Sequence, residues 1–586
     1  MRYVLLFVFF VSGWLAAQSV EYAAPLRGEL RVTGTFGELR SDHFHAGLDF
    51  RAPTGTPVYS VADGFVSRIV VSPGGYGQAV YVDHPDGHRS VYAHLETLAA
   101  ELLDTVRVRQ FAAESFAVDL MLDSLTFPVA RGQRIGAVGN RGYSFGSHLH
   151  FEMRERAGDV PVNPLAFGFA VADTQPPAIR KVRVYGYGMS LDSDGTGTES
   201  ESQTLTPERV AEGRYVIRDT VEVGTPLVDF ALKTYDRQDA MPNWNGVYGG
   251  ALFVDSVRWF RFAFDRIPFA DTEYLNALTD YADWTANVSW FHRYHALSPQ
   301  QFMARPKDVT PGGIPHSVGT GKGTEIAVRG NPTYRLGDGA HDVRLTARDH
   351  AGNESVVDLV VRFSSLGHGT RARPHNYFLP AGEPSIIDNG SFRLELDATA
   401  LYEDCYFRYQ QLPDDSAGRL SPTHQLHDRL TPLHGRARLH LRPFRPPPDS
   451  LRDRAFIGSC SPAGEWTGYG GAWQADGRLA ASIPVFGDYA IFLDTIPPTI
   501  TINYFSKDLR RAAGFSLLIE DNVATGPLRY RGTVDGKWIL LEYDLKNDKL
   551  AYDFRNGDFG PGEHLFELEV TDGVGNVGRF VRRFRR

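Results

Sequence analysis

The feature that most constrains the fold is the alternation of short apolar segments with turns rich in glycine and proline. Residues 56–61 and 78–83, for example, have the composition and the flanking turn residues of β-strands. The chain of 586 residues contains 59 glycines, 35 prolines and 12% aromatic residues, a composition that favours strands and turns. At about 150 residues per domain, the sequence predicts a mainly β protein of about four domains.

One stretch of the first 170 residues departs from this strand pattern. Leu98, Leu102 and Val106 recur at helical spacing, and apolar residues then alternate with polar ones in residues 116–122. We expect a helix and a strand inserted between two parts of one β domain.

The N-terminus predicts export. Arg2 precedes a short apolar run at residues 4–11, and small residues follow as far as Ala17, which is typical of a secretory signal peptide at residues 1–17. The alternative is a membrane anchor, but the run is short for about 30 Å of hydrocarbon, and no later segment offers about 18 apolar residues. We expect a mature chain without transmembrane segments, in the periplasm, at the cell envelope or outside the cell.

Two motifs occur twice in the rest of the chain. Asp173-Thr-Gln-Pro-Pro recurs as Asp494-Thr-Ile-Pro-Pro, and Asp349-His-Ala-Gly-Asn recurs in similar form as Asp572-Gly-Val-Gly-Asn. Each copy of the second motif lies between two alternating segments, so we interpret it as a hairpin turn. The aspartates are interpreted as architectural residues, and calcium binding at these aspartates is the alternative.

These repeats predict the domain organisation. We expect a first domain at residues 18–170 and two immunoglobulin-like β-sandwich modules at residues 171–366 and 494–586. The first of these modules carries a long insertion rich in aromatic residues, at about residues 186–335. A further β module at residues 367–493 lies between the two copies.

Both cysteines of the chain, Cys405 and Cys460, lie in the module at residues 367–493. An exported chain with two cysteines in one module predicts a disulfide between them, which would add roughly 4 kcal/mol of stability. Two unconnected buried thiols are the alternative. A chain with only two cysteines is neither a disulfide-dense scaffold nor a cysteine-rich zinc finger.

Three short clusters in the first domain carry the residues of a metal site. They are His45-Ala-Gly-Leu-Asp49, Tyr92-Ala-His94-Leu and His148-Leu-His150-Phe-Glu152. The last cluster alternates like a strand, so its two imidazoles point to the same face. Nitrogen and oxygen donors with one position left open are the pattern of a catalytic zinc site, with manganese and cobalt as alternatives.

A different catalytic motif overlaps the third cluster. Gly142-Tyr-Ser144-Phe-Gly146 matches the Gly-x-Ser-x-Gly sequence of serine esterases, which requires a strand before the serine and a helix after it. A strand pattern follows here instead, so we interpret the segment as a glycine-rich loop.

The three clusters resemble those of the lysostaphin/LytM-type peptidoglycan endopeptidases, metallopeptidase family 23. The resemblance extends, in the same order, to further short motifs: Gly55-Thr56-Pro57-Val58, Asp63-Gly64 and Gly132-Gln133-x-Ile135-Gly136. It covers about a quarter of the chain. Two departures are a longer stretch between His94 and Gly132 and the presence of Ser147 where proline is common.

The resemblance implies a role for each residue. It implies that His45, Asp49 and His150 are the ligands of one zinc ion and that His94 and His148 are catalytic. It also implies a small, mostly antiparallel β domain that holds the zinc in a groove. Glu152 is a candidate acceptor for a hydrogen bond from a ligand imidazole. A carboxylate exposed on the surface is the alternative for Glu152.

The function implied by the resemblance is a zinc-dependent endopeptidase that hydrolyses peptide cross-links of bacterial peptidoglycan. One alternative is a non-catalytic wall-binding or regulatory module on the same fold. Another is a structural or adhesive protein in which the β modules do the main work. The expected partners are peptidoglycan and, through the C-terminal β modules, proteins of the cell envelope. A net charge of −9 without a basic block argues against nucleic acid as a partner.

Overall fold

A computed structural model describes most of the chain. The described residues are 20–187, 201–239, 241–295, 325–328, 334–364, 375–412, 418–461, 463–557 and 559–586. The predicted signal peptide and about a third of the predicted aromatic-rich insertion lie outside them. Within these ranges, no helix is long and apolar enough to cross a membrane.

The first unit, residues 20–170, forms an antiparallel β structure with one helix, α1 (Ala100–Ala113). Its strands are β1 (Val32–Gly34), β2 (Leu48–Arg51), β3 (Pro57–Tyr59), β4 (Gly64–Val71), β5 (Gln78–Asp83), β6 (His88–Ala93), β7 (Thr97–Leu98), β8 (Val118–Met121), β9 (Pro128–Val129), β10 (Arg134–Ala137), β11 (His148–Glu155) and β12 (Val160–Val162).

Strand β11 lies near the middle of the main sheet of this unit. The sheet has the order β1-β2-β11-β6-β5-β4-β8, with β12 beside β11 and β9 beside β4. In register, His150 on β11 lies opposite Asp49 on β2 and opposite Ala93 on β6. Since His94 directly follows β6, the sheet brings segments from all three sequence clusters side by side.

The predicted helix and strand are both present, and the strand extends this sheet. Helix α1 buries Leu102 and Val106, which are spaced four residues apart and so lie on one face. After the helix, β8 pairs with β4 at the edge of the sheet. The predicted insertion of a helix and a strand is thus confirmed.

The second unit, residues 171–364, contains two sheets and two short α-helices, α2 (Phe269–Thr272) and α3 (Tyr281–Asn287). Its strands are β13 (Ala178–Tyr187), β14 (Glu201–Leu205), β15 (Glu208–Ala211), β16 (Arg214–Val216), β17 (Val221–Val223), β18 (Leu227–Tyr235), β19 (Gly249–Val254), β20 (Val257–Ala263), β21 (His292–Arg293), β22 (Glu325–Val328), β23 (Tyr334–Arg335), β24 (Gly339–Arg348) and β25 (Glu354–Phe363).

The third unit, residues 375–493, is built from three sheets. Its strands are β26 (Tyr377–Leu379), β27 (Ser385–Asp388), β28 (Phe392–Leu396), β29 (Cys405–Phe407), β30 (Tyr409–Leu412), β31 (Thr423–Leu426), β32 (Ala437–Leu441), β33 (Ala455–Cys460), β34 (Trp466–Gly468), β35 (Ala472–Trp473), β36 (Leu479–Ile483) and β37 (Gly487–Leu493).

The fourth unit, residues 494–586, has two sheets, ordered β38-β39-β43-β42 and β41-β40-β44-β45. The strands are β38 (Thr499–Tyr504), β39 (Gly514–Glu520), β40 (Arg529–Val534), β41 (Lys537–Trp538), β42 (Glu542–Asp544), β43 (Lys549–Asp553), β44 (Glu563–Thr571) and β45 (Val577–Arg585). The expectation of a mainly β chain, with a small antiparallel domain followed by several β modules, is confirmed.

The repeated motifs occupy equivalent places in the second and fourth units. The Pro-Pro motif precedes β13 in one unit and β38 in the other, and the Asp-x-x-Gly-Asn motif joins β24 to β25 and β44 to β45. Both of these strand pairs are antiparallel. The prediction of hairpin turns is therefore confirmed.

A continuous apolar core links the first, second and fourth units, whereas the third unit has a separate core. Between the first and second units, the rings of Phe44 and Phe264 lie 5.4 Å apart. Between the first and fourth units, the rings of Phe111 and Trp538 lie 5.4 Å apart. The first unit is thus held against two others.

The predicted disulfide is not present. Both cysteines belong to the described residues, and no disulfide joins Cys405 to Cys460. Cys405 begins β29, which pairs with β26, whereas Cys460 ends β33, which pairs with β34 and β37 in a different sheet. The prediction failed because residues in one module need not lie on neighbouring strands, and sequence spacing carries no information on that separation.

Candidate metal centre

Three side chains of the first unit converge on one point. Nε2 of His45 lies 3.1 Å from Oδ1 of Asp49 and 3.1 Å from Nδ1 of His150, and the last two atoms are 2.9 Å apart. His45 precedes β2, Asp49 lies on β2, and His150 lies on the neighbouring β11. The pairing of these two strands therefore assembles two nitrogen atoms and one oxygen atom from distant parts of the sequence.

The outer nitrogen of each of these two imidazoles is held by an acceptor. Nδ1 of His45 lies 2.8 Å from the carbonyl oxygen of Thr35, and Nε2 of His150 lies 2.8 Å from Oε1 of Glu152. In the neutral rings, these acceptors receive the hydrogen bond from the N–H, and the lone pairs of Nε2 of His45 and Nδ1 of His150 face Asp49. Three acceptor atoms facing one another fit a cation, and the hydrogen bonds to Thr35 and Glu152 favour the tautomers that a metal requires.

Glu152 is fully buried, so the structure contradicts its alternative interpretation as a surface carboxylate. Its second oxygen accepts a hydrogen bond of 2.6 Å from Nε of Arg154, and its first oxygen also accepts one from the hydroxyl of Tyr76. Burial opposes ionisation of this carboxyl, but Arg154 and His150 hold its pKa well below the usual range. Glu152 is therefore a fixed negative charge behind His150.

The charges around the centre affect the pKa values of the two ligand-type histidines in opposite directions. Burial lowers the pKa of His45 to about 4. Burial also acts to lower the pKa of His150, but its hydrogen bonds to Asp49 and Glu152 outweigh that effect and raise the pKa to about 9. A metal ion at the centre would compete with a proton for Nδ1 of His150, so metal binding there should weaken at low pH.

Two further imidazoles face the same point. Nε2 of His148 lies 3.4 Å from Oδ1 of Asp49, and the ring centroids of His94 and His148 are 4.9 Å apart. Nδ1 of His94 donates to the carbonyl oxygen of Arg141 at 2.8 Å, and Nδ1 of His148 donates to that of Gly146 at 2.9 Å. Both rings therefore keep Nε2 as an acceptor on the side of the metal centre.

His94 is held in an unusual state. Its backbone φ of 58° lies in the left-handed region, which a residue other than glycine rarely adopts and which often marks a functional position. Burial, together with the nearby His150 and His148, lowers the pKa of His94 to about 3. The ring is therefore neutral at pH 7, and the lone pair of its Nε2 is a hydrogen-bond acceptor.

All six residues singled out from the sequence lie together in this centre, and the structure adds others. Arg40 donates to Oδ2 of Asp49 at 3.0 Å and so fixes the carboxylate from the side away from the histidines. Arg154 could have been found from the sequence, since it follows Glu152 by two residues on the same strand and so faces the same way. Arg40 and Tyr76 carry no such signal, because their loops reach the centre only through tertiary packing.

The loop before His148 does not form a nucleophile elbow. Oγ of Ser144 donates to the carbonyl oxygen of Gly146 at 2.9 Å and lies 3.2 Å from Nδ1 of His148, the nitrogen that faces away from the metal centre. The loop continues into strand β11, not into a helix. Ser144 therefore orients His148 from behind.

Comparison with known proteins points to the same part of the chain. Residues 43–117 match peptidase family M23, and residues 376–494 match a Zu5-like domain. The DD-carboxypeptidase/endopeptidase Mpg of Neisseria meningitidis is 34% identical over 141 residues, which cover 23% of this chain and 26% of that protein. The cell division protein DipM of Caulobacter vibrioides is 33% identical over 140 residues, which cover 24% of this chain and 19% of that protein. The similarity thus spans about a quarter or less of the length of these relatives.

Solved structures are similar over the same part. The catalytic domain of the antimicrobial peptidase lysostaphin from Staphylococcus simulans is 25% identical, with 24% of this chain and 91% of that chain covered and a TM-score of 0.18. A zinc-containing peptidase from Vibrio cholerae is 27% identical, with 24% and 37% covered and a TM-score of 0.18. The family match at residues 43–117 includes His45, Asp49 and His94, which meet at the metal centre. The N-terminal unit of this chain contains a peptidase M23 domain, and we call it the M23 unit below.

Proposed function

We propose that the N-terminal unit is a zinc-dependent endopeptidase that hydrolyses peptide cross-links of bacterial peptidoglycan. The observation that carries the proposal is the convergence of His45, Asp49 and His150 on one point, with two further imidazoles facing it. Two nitrogen donors and one carboxylate, with room for a further ligand, are the donor set of a catalytic zinc site. The name of the Neisseria relative, a DD-carboxypeptidase/endopeptidase, agrees with the hydrolysis of peptide bonds.

The first task of the protein is to hold the metal in a fixed place. His45 and His150 offer nitrogen lone pairs whose direction is set by Thr35 and Glu152, and Asp49 offers a carboxylate oxygen. When bound, Zn²⁺ supplies Lewis acidity, which polarises a scissile carbonyl and lowers the pKa of water towards about 7.

The second task is proton transfer. His94 and His148 each present Nε2 towards the centre while the other ring nitrogen donates to a backbone carbonyl. One of these rings accepts the proton of the attacking water at Nε2, and the other, once it carries a proton on Nε2, stabilises the developing negative charge or donates that proton to the leaving amine. Positioned groups of this kind contribute about 10²–10⁴-fold to the rate.

The test uses the full mature chain, residues 18–586, with metal analysis and digestion of purified peptidoglycan. We expect about one equivalent of zinc and the release of peptide fragments whose masses identify the bond that was cleaved. His45→Ala and Asp49→Ala should each lose most of the zinc and the activity. His43→Ala is the matched control, because His43 is exposed and hydrogen-bonds to Asp42. Full zinc retention in both variants would contradict the ligand assignment.

The same experiment decides between catalysis and wall binding. A non-catalytic module on this fold would sediment with intact peptidoglycan and release no fragments when fully loaded with zinc. The presence of both His94 and His148 beside the ligands favours catalysis, because a purely binding protein has no need of two further imidazoles that face the metal site. Because peptidoglycan lies outside the cytoplasm, the proposed function also requires export, and the predicted signal peptide provides for it.

A further inference from the structure

Two clusters of three aspartates occupy equivalent places in the second and fourth units. The first aspartate cluster is Asp173, Asp236 and Asp349, and the second aspartate cluster is Asp494, Asp521 and Asp572. In each cluster, one carboxylate oxygen of every residue lies within 4.8 Å of the other two. Neither cluster belongs to the M23 unit, and the catalytic proposal makes no use of them.

Each cluster is built where the two sheets of its unit meet. Asp173 precedes β13 and Asp236 follows β18, the partner of β13, whereas Asp349 follows β24 of the other sheet. In the fourth unit, Asp494, Asp521 and Asp572 take the corresponding positions beside β38, β39 and β44. The two repeated sequence motifs therefore supply two aspartates of each cluster, and the end of a central strand supplies the third.

The same hydrogen bonds hold both clusters in shape. Nδ2 of Asn353 donates to Oδ2 of Asp349 at 2.8 Å and to the backbone carbonyl of Asp173 at 3.3 Å. In the fourth unit, Nδ2 of Asn576 donates to Oδ2 of Asp572 at 2.8 Å and to the carbonyl of Asp494 at 3.1 Å. The asparagine of each Asp-x-x-Gly-Asn turn thus fixes two of the three aspartates relative to each other.

Buried oxygen atoms in both clusters have no donor. Asp236 is 1% exposed and Asp494 is 2% exposed, yet Oδ1 of Asp236 and Oδ2 of Asp494 accept no hydrogen bond from any described residue. Oδ1 of Asp521 is also buried and likewise accepts no hydrogen bond from any described residue. A buried carboxylate oxygen without a donor is costly and rare, so each of these atoms points to a cation or a proton as its partner.

No side-chain cation of the described residues neutralises the clusters. No ion pair among the described residues includes any of the six aspartates. A cavity of about 100 Å³ lined by Asp173, Asp236 and Asp349 provides room for an ion at the first cluster. Burial, followed by the repulsion between the carboxylates, raises the pKa of Asp173 to about 7 and that of Asp236 to about 8. Near neutral pH, a cation would therefore displace protons from the cluster.

We propose that each aspartate cluster binds one Ca²⁺ ion, which joins the two sheets of its unit. The donors are all oxygen atoms, which suits a hard cation and excludes a thiolate- or imidazole-based site. Ca²⁺ accepts six to eight oxygen ligands in flexible geometry, and three carboxylates with carbonyl or water oxygens can supply them. Mg²⁺ requires a near-ideal octahedron and keeps most of its water, which suits a buried cluster less well.

The test measures calcium binding to the full mature chain. The protein is stripped of metal, one equivalent of Zn²⁺ is returned to the first unit, and CaCl₂ is titrated by calorimetry, with MgCl₂ in parallel. We expect two equivalents of Ca²⁺ to bind and the unfolding temperature to rise with Ca²⁺. Failure of the zinc-dependent activity would leave this result unchanged, since the two experiments use different residues.

Variants of Asp236 and Asp521, which each have one buried oxygen without a donor, separate an effect on Ca²⁺ binding from an effect on folding. Asp236→Asn and Asp521→Asn should each reduce the stoichiometry from two to one, and the double variant should bind no Ca²⁺. Each substitution removes one negative charge from a cluster of carboxylates that repel one another. Without Ca²⁺, each variant should therefore unfold at a temperature no lower than that of the metal-free wild type. The matched control Asp535→Asn, whose aspartate hydrogen-bonds to His564 outside the cluster, should bind two equivalents. Absence of Ca²⁺ binding, an undiminished stoichiometry in the double variant, or Mg²⁺ binding as tight as that of Ca²⁺ would each overturn the proposal.

Discussion

At the scale of single residues, the metal centre is defined by what stands behind each imidazole. Four histidines face one point, and each has its far nitrogen held by an acceptor of the first unit. Three of these acceptors are backbone carbonyls, and the fourth is the carboxylate of Glu152. Each ring is therefore held in one orientation before a metal or a substrate arrives, which lowers the reorganisation needed during the reaction.

The histidines that are not proposed as ligands should affect rate and not metal content. We expect His94→Ala and His148→Ala to keep about one zinc per chain and to lose about 10²–10⁴-fold in the rate of peptidoglycan cleavage, because each removes a positioned proton acceptor. Zinc analysis and a cleavage assay on the same preparation measure both quantities. Near-normal cleavage by both variants would show that these histidines are not catalytic.

Glu152 should act on metal affinity through His150. The substitution Glu152→Gln keeps the size of the side chain but removes the charge that holds the Nε2 proton of His150. Arg154 loses one of its two carboxylate partners and keeps its ion pair with Asp159. We expect zinc affinity to fall about 10–100-fold. Competition with a zinc chelator measures it. The control is Glu155→Gln on the same strand. Glu155 accepts a hydrogen bond from Arg266, and its substitution should leave zinc affinity unchanged.

The sequence was most informative where the chemistry is local. His148 and His150 are two residues apart on a strand, so their spacing alone placed them on one face, whereas the roles of His45 and Asp49 were implied by the resemblance to metallopeptidase family 23. Arg40, Tyr76 and the carbonyl of Thr35 were not found, because they reach the centre through loops whose paths depend on the packed sheet. Glu152 was found only as a candidate, since burial decides between a carboxylate that holds a ligand imidazole and one that is exposed on the surface.

At the scale of elements, strand β11 determines the site. It lies between β2 and β6, so one strand carries His148, His150 and Glu152 while its neighbours bring Asp49 and His94. The period-two pattern of residues 148–153 predicted this strand, and helical spacing predicted α1. Which strands become neighbours was not predictable in the same way, and the failed pairing of Cys405 with Cys460 has that cause.

Gly47 should be required for the close approach of the His45–Asp49 segment to β11. A Cβ atom at this position would lie 2.3 Å from the carbonyl oxygen of Phe151, which is backbone and cannot move aside easily. We expect Gly47→Ala to lower the free energy of unfolding by about 1–3 kcal/mol, as overpacking does, and to weaken zinc binding. Chemical denaturation and metal analysis measure these effects.

The matched control for that substitution is Gly146→Ala. A Cβ atom at Gly146 would meet no atom within 4 Å, and its backbone does not lie in the left-handed region. This variant should keep the stability and zinc content of the wild type. Equal stability of Gly47→Ala and wild type would show that the segment can shift without cost.

At the scale of the whole molecule, the M23 unit shares its apolar core with other units of the same chain. Its apolar core continues into the second unit, where Phe264 covers Phe44 and Gly37. Hydrogen bonds accompany this contact, for example from the amide of Ile267 to the carbonyl of Pro161 at 3.0 Å. The sequence predicted several β units but did not predict that they share a core, since the apolar residues of an interface look like those of any strand.

A shortened chain of residues 18–169 tests how far the M23 unit stands alone. We expect it to bind zinc and cleave peptidoglycan, because all five ligand and catalytic candidates lie within it, but to unfold at a lower temperature because Phe44 loses its cover. The full-length variant Phe264→Ala should show a loss of about 3–5 kcal/mol in the free energy of unfolding. Thermal unfolding and the cleavage assay decide the outcome. A folded, zinc-loaded but inactive shortened chain would show that the other units complete the site.

The loop that holds His148 also depends on residues made much later. Arg141 forms an ion pair of 2.8 Å with Glu542, 401 residues further along the chain, and the carbonyl of Ser144 accepts a hydrogen bond of 3.0 Å from Lys546. At a synthesis rate of about 5–20 residues per second, these partners emerge about 20–80 s after the loop. The surroundings of His148 are therefore completed only when nearly the entire chain exists, so a nascent chain lacks these two contacts however early its first sheet folds.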